Sequence, residues 1–91
     1  MPTFKQLRYF LAVSETLHFR RAADSVHVSQ PTLSTQIKEL EDQLGVQLVE
    51  RSRARVLLTP IGRAVAIRAA NILRDMQDII EMTKVGQSLL S

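Results

Sequence analysis

From Pro60 to Val85 the chain carries no second proline and a single glycine, Gly62, close behind Pro60. Thr59 can accept hydrogen bonds from the free N–H groups of a helix start, and a proline in the first helical position forfeits no bond. The run therefore predicts one helix that opens at Thr59-Pro60 and is unbroken as far as Gly86. That is roughly 25 residues, or about 37 Å at 1.5 Å per residue. No globule made from 91 residues is that wide. Folding at this size buries only about 60–65% of the surface of the unfolded chain, so a projecting helix calls for a partner to cover it. Its seam positions Val65, Ala69, Ile72, Met76, Ile79 and Thr83 recur at steps of 4, 3, 4, 3 and 4, which is a heptad pattern. Such a seam asks for a partner chain, a second copy or a different coiled-coil helix. A partner-binding segment, the linker and dimerisation helix if the partner is a second copy, is thus expected over 60–88, with 89–91 as the start of a connection onward.

The 59 residues ahead of this helix read as three shorter helices and a hairpin. Apolar side chains at Phe4, Leu7, Phe10, Leu11 and Val13 follow helical rather than alternating spacing up to about Glu15. Phe19, Ala22, Ala23 and Val26 do the same for a second helix, and the small alanine pair lets a neighbour approach closely. The third helix has the clearest start: Ser29 as cap and Pro31 in the first turn. Leu33, Ile37, Leu40 and Leu44 form its inward stripe, and Gly45 supplies a left-handed stop. His27 and Val28 remain as the link between helices two and three, His27 as a packed turn residue. So short a link makes two helices cross sharply, the helix-turn-helix arrangement. Val46–Val49 and Val56–Leu58 then bracket a polar tip, a small β-hairpin with no Asn-Gly or Asp-Gly at its turn. The fold class is mainly α: a winged helix-turn-helix over 1–59, with three helices and a short β-hairpin wing, followed by the long helix.

Several chemistries are excluded by composition. The chain has no cysteine, which removes disulfide frameworks, thiolate metal sites and thiol catalysis. His18 and His27 alone make no metal cluster, and no cofactor is expected. Ser29 has no neighbouring base, and no paired carboxylates or glycine-rich loop line a pocket, so an enzyme is not expected. Met76 and Met82 read as seam filler, and Phe4, Phe10 and Phe19 as members of apolar stripes. No apolar run approaches the ~18 residues of a membrane span and no signal-peptide layout opens the chain. A cytoplasmic protein without a membrane partner is expected.

The net charge of +3 conceals blocks. Residues 1–38 net +3, residues 39–50 net −4, residues 51–74 hold six arginines and no acid, and the tail nets −2. Grouped positive charge suits a polyanion, and nine of the twelve cations are arginine, the side chain fitted to phosphate. With the third helix's apolar stripe turned inward, Pro31, Thr35, Lys38 and Asp42 point outward, flanked by Thr32 and Ser34. Its first half offers donors and small apolar surface, and acids begin only at Glu39. A helix whose first half enters a DNA major groove needs this polarity. Gln30, Pro31, Thr32 and Thr35 are the base-reading candidates: the Gln30 amide for adenine, Pro31 or the Thr32 methyl for a thymine methyl. Arg20, Arg21, Ser29, Ser34 and Lys38, with Arg51, Arg53 and Arg55 at the wing, are the phosphate or groove candidates, Arg53 foremost for groove insertion.

Leu7-Arg-Tyr-Phe-Leu-Ala-Val, Phe19-Arg-Arg-Ala-Ala-Asp, Val28-Ser-Gln-Pro-Thr-Leu-Ser, Ile37-Lys-Glu-Leu-Glu-Asp-Gln-Leu-Gly45, Leu48-Val-Glu-Arg51 and Leu58-Thr-Pro-Ile-Gly62 together resemble the N-terminal domain of the LysR-type transcriptional regulators. The resemblance spans essentially all of the chain. It implies a winged helix-turn-helix and a linker helix that pairs two subunits antiparallel on an interrupted palindrome of double-stranded promoter or operator DNA. It places base and phosphate contacts on Ser29, Gln30, Pro31, Thr32, Ser34, Thr35 and Lys38, with Arg51 and Arg53 at the wing. RNA polymerase is a further candidate partner. His18-Phe-Arg-Arg-Ala-Ala-Asp24 and Pro31-Thr-Leu-Ser34 are most similar to the peroxide-sensing, OxyR-like branch. In that branch the redox-active cysteines lie in a C-terminal regulatory domain, so these 91 residues read as a piece without the sensor. The rival reading is a helical protein-interaction module whose 60–88 helix recruits a different coiled-coil partner.

Overall fold

The structure, a computed structural model, describes residues 1–52 and 54–90, the last four as helix backbone only. Four helices and one hairpin follow in the order α1 (Phe4–Thr16), α2 (Phe19–Ser25), α3 (Gln30–Leu44), β1 (Val49–Arg51), β2 (Val56–Leu58) and α4 (Pro60–Leu90). The molecule extends 55 × 24 × 19 Å, a long dimension that exceeds the ~46 Å of the 31-residue α4.

Each helix start is set by local chemistry. Thr3 and Gln6 form a capping box at α1: the Gln6 N–H donates to Thr3 Oγ1 and the Thr3 N–H to Gln6 Oε1, both at 3.1 Å. Ser29 caps α3 by accepting from the Thr32 N–H at 3.2 Å, with Pro31 in the first turn. Thr59 caps α4 by accepting from the Gly62 N–H at 2.9 Å. Its own hydroxyl donates to the Gln47 carbonyl at 2.7 Å, which ties the start of α4 to the segment leading into β1. Gly45 ends α3 at φ +70°, the left-handed stop that glycine accepts without penalty.

Phe10, Val13, Leu33, Ile37, Leu40 and Leu48 are fully buried and form the centre of the core. Ala22 and Ala23, at 0% and 2% exposure, let α2 come close. β1 and β2 pair antiparallel with Val49 opposite Leu58 and Arg51 opposite Val56. Ser52 does at the tip what Asn-Gly does elsewhere: its Oγ accepts from the Ala54 and Arg55 N–H groups at 3.3 and 3.2 Å.

The structure corrects several expectations. Gly86 does not stop α4, which continues through it to Leu90; a helical glycine costs only about 1 kcal/mol and ends a helix when it turns left-handed, as Gly45 alone among the glycines does. Leu89 and Leu90 lie in this helix, and Ser91 lies outside the described residues. Leu44 is 40% exposed and Phe4 48%, because both sit at helix ends beyond the reach of the core. The α2–α3 connection runs over residues 26–29 rather than two, since α2 stops at Ser25. His27 is exposed rather than packed and adopts φ +60°.

Ala69 is 1% exposed, and Val65 packs against the core of its own chain. α4 packs on α1, with Phe4 and Arg8 beside Leu73, Met76 and Ile80, and of the seam positions only Ile72, Ile79 and Thr83 stand open, with Met76 half-buried. Among the described residues no helix is long and apolar enough to cross a membrane.

Candidate nucleic-acid interface

The candidate surface is built on α3. Burial of Leu33, Ile37 and Leu40 at 0% exposure fixes the helix about its axis and turns Gln30, Pro31, Thr32, Thr35 and Lys38 outward, all exposed. Ser34 is half-buried on the flank. Ser29 is occupied inside the helix start: besides accepting from the Thr32 N–H it donates to Thr32 Oγ1 at 2.9 Å. The Thr32 hydroxyl keeps its proton for an outside acceptor.

Two concavities flank this helix. In one, Ser34, Thr35 and Lys38 of α3 face Arg51 of β1 across a groove. In the other, Gln30 lies with His18 and Arg20 of the α2 start and with Arg55 of the wing tip. Seven base and phosphate candidates scattered over the sequence are thereby brought together in two sets, each including part of α3. Arg21, Pro31 and Thr32 are exposed but line neither concavity. Arg53 lies outside the described residues.

The electrostatics of this face follow from what is missing near its cations. Among the described residues the one salt bridge joins Lys84 to Glu81 at 3.8 Å, remote from α3 on α4. Arg20, Arg21, Lys38, Arg51 and Arg55 have no carboxylate within bonding distance among the described residues, which leaves their charge available to an anion. Gln30, Thr32 and Thr35 add exposed donors on α3, which suits a surface that meets both phosphates and base edges.

Two functional side chains went unread in the sequence. His18 caps α2: its Nδ1 accepts from the Arg21 N–H at 3.1 Å, so in the neutral ring the remaining proton sits on Nε2. Histidine is not among the preferred capping residues, and nothing local marks it as one. Glu41, expected only as part of the acidic far end of α3, takes the Leu48 and Val49 N–H groups on a single oxygen at 2.7 and 3.1 Å. This carboxylate holds the start of β1, and with it the wing, against the recognition helix. Seven and eight residues separate the partners, so no local pattern announces the contact. Among the described residues no group of three histidines or carboxylates is close enough to hold a metal ion.

Known proteins share this arrangement. Residues 4–63 match the family model described as bacterial regulatory helix-turn-helix protein, lysR family. The DNA-binding transcriptional dual regulator OxyR of Escherichia coli K12 is 51% identical over 78 residues, which cover 86% of this chain and 26% of the regulator. The chain thus spans about a quarter of the length of such relatives. Among solved structures, a full-length OxyR variant from Pseudomonas aeruginosa superposes with a TM-score of 0.89 at 45% identity, covering 92% of this chain and 28% of that one. The DNA-binding domain of BenM, solved in complex with catB site 1 DNA, superposes with a TM-score of 0.87 at 41% identity, covering 90% and 91% of the two chains. On its fold, its motifs and this match, the chain belongs to the LysR family of bacterial regulatory helix-turn-helix proteins.

Proposed function

We propose that this chain is the sequence-reading module of a transcriptional regulator: a winged helix-turn-helix that binds double-stranded promoter or operator DNA by inserting the first half of α3 into a major groove. One observation carries the reading. The outward face of α3 from Gln30 to Lys38 presents Gln30, Thr32, Thr35 and Lys38 without an acid, beside arginines that, among the described residues, pair with no carboxylate. The BenM domain solved on DNA supports it by likeness. Residues 1–59 are the DNA-binding domain and 60–88 the linker, by which two copies pair through Ile72, Ile79 and their neighbours. Two recognition helices then address half-sites about one helical turn apart. RNA polymerase is a further partner of the regulator, which works in the cytoplasm. Sensing of an effector or oxidant falls to parts of the regulator other than these cysteine-free residues.

Selection of bound sequences from a random duplex pool, followed by fluorescence anisotropy, tests the reading. A palindromic site with two spaced half-sites is the expected product, with affinity that falls steeply as salt rises. Gln30→Ala should relax preference at one base pair per half-site by about 1–3 kcal/mol. Equal weakening on selected and scrambled duplexes would remove its base-reading role. The exposed Ile72, Ile79, Met82 and Val85 favour a second reading, in which α4 recruits a different helical protein. Analytical ultracentrifugation with and without duplex separates the two: a monomer indifferent to DNA supports recruitment, and a dimer that binds the palindrome supports the regulator.

A further inference from the structure

Phe19 opens α2 with its side chain 7% exposed, and the face of its ring carries the guanidinium of Arg51, 3.9 Å from the ring centroid. Arg51 itself stays exposed at the end of β1. Among the described residues no carboxylate lies within bonding distance of it. A guanidinium stacked on an aromatic ring engages its flat side, and its N–H donors project around the edge. Arg51 shares a groove with Ser34, Thr35, Lys38 and Glu41; the Glu41 carboxylate is engaged by the Leu48 and Val49 N–H groups, which leaves the two hydroxyls and the ammonium to meet phosphate oxygens.

We infer that Phe19 is a positioning residue for DNA binding: its ring holds the Arg51 guanidinium in one orientation before the duplex arrives, so that the fork meets a backbone phosphate preformed. The inference rests on the DNA-binding reading and adds to it a residue that touches no nucleotide. Arginine is among the side chains with most rotamer freedom to lose, and ordering such a side chain at the moment of binding weakens the complex. A stack built into the folded protein moves that ordering from binding to folding. The geometry also explains why an arginine stands at this position. A lysine keeps the charge but has neither the flat face for the ring nor the fork for the phosphate. Phe19 thus has two duties on its two sides, one in the core and one beneath the cation.

A double-mutant cycle separates them. Phe19→Leu, Arg51→Ala and the pair are compared with the unaltered chain by anisotropy on the selected duplex over a range of salt concentrations. Arg51→Ala should weaken binding and lower the salt slope by about 1. Phe19→Leu should weaken binding about two- to fivefold with the slope unchanged, and should add nothing once Arg51 is alanine. Equal losses from Phe19→Leu in both backgrounds would assign the ring to the core alone and overturn the inference. An unchanged slope in Arg51→Ala would do the same by showing that Arg51 meets no phosphate, while base discrimination through Gln30 leaves the wider DNA reading standing. Failure of the unaltered chain to bind any duplex would sink that wider reading instead. Should Phe19→Leu not fold, NMR of the unaltered free protein decides: upfield ring-current shifts of the Arg51 δ-methylene protons support the stack, and random-coil shifts overturn it.

Discussion

The two ends of α4 differ in what surrounds them although their sequences are alike in kind. Near its start, Gly62 sits where a Cβ would run into the Leu48 carbonyl, with Thr59 Oγ1 3.1 Å away. Thr59 is 8% exposed and Ala69 1%. Toward its other end, Gly86 has nothing within 4 Å among the described residues, and Ile79, Met82 and Val85 are 54%, 67% and 58% exposed. Both ends carry apolar residues at helical spacing; one has a face covered by its own chain, and the other stands open among the described residues. An apolar stripe therefore states that something must cover it, and position relative to the core decides what does.

The largest effect that could test this difference is a pair of truncations. Leu48→Ala, in the fully buried bed on which α4 starts, should cost about 2–5 kcal/mol in urea unfolding. Ile79→Ala should cost no more than about 0.5 kcal/mol at concentrations where the protein is monomeric and should show itself as weaker self-association in ultracentrifugation. Equal losses on unfolding would mean that the outer half of α4 is already covered within one chain.

The glycines offer a contrast of sign. Gly62→Ala forces the Leu48 carbonyl aside and should destabilise by about 1–3 kcal/mol. Gly86→Ala enters open space in a helical conformation and should stabilise by up to about 1 kcal/mol. Thermal unfolding of the two variants checks both, and a loss at Gly86 would place something against it.

A smaller change is expected at the cap. Thr59→Ala removes the acceptor of the Gly62 N–H and the donor to the Gln47 carbonyl, for a loss of about 1 kcal/mol in chemical denaturation. Thr59→Ser restores both bonds, so recovery in that variant assigns the effect to the hydroxyl.

Much of this fold was legible before any coordinates. Ser29, Gly45 and Thr59 announced the boundaries they set, because a cap involves partners within three or four residues along the chain. The stripe Leu33, Ile37 and Leu40 was legible for the same reason, since helical periodicity places these residues on one face. The end of α4 was misread at Gly86 because glycine only weakens a helix unless its backbone turns left-handed. Leu44 and Phe4 were misjudged because periodicity reports which face a residue occupies and says nothing about how far the core extends along it.

The candidate interface divides along the same line. Its donors and its freedom from acid in the first half of α3 could be read from residue types at known spacing. The link from Glu41 to the wing, the cap provided by His18 and the arginine stacked on Phe19 could not, because each joins groups whose meeting depends on the folded path or on a side chain with weak local preference. Local hydrogen bonding and periodicity, acting over one or two turns, determined where the helices lie, how each is rotated and where positive charge collects. Which stripe is covered, which glycine is indispensable and which arginine is held ready were settled by contacts between distant segments. Burial and orientation belong to the assembled surfaces, and no window of neighbouring residues contains them.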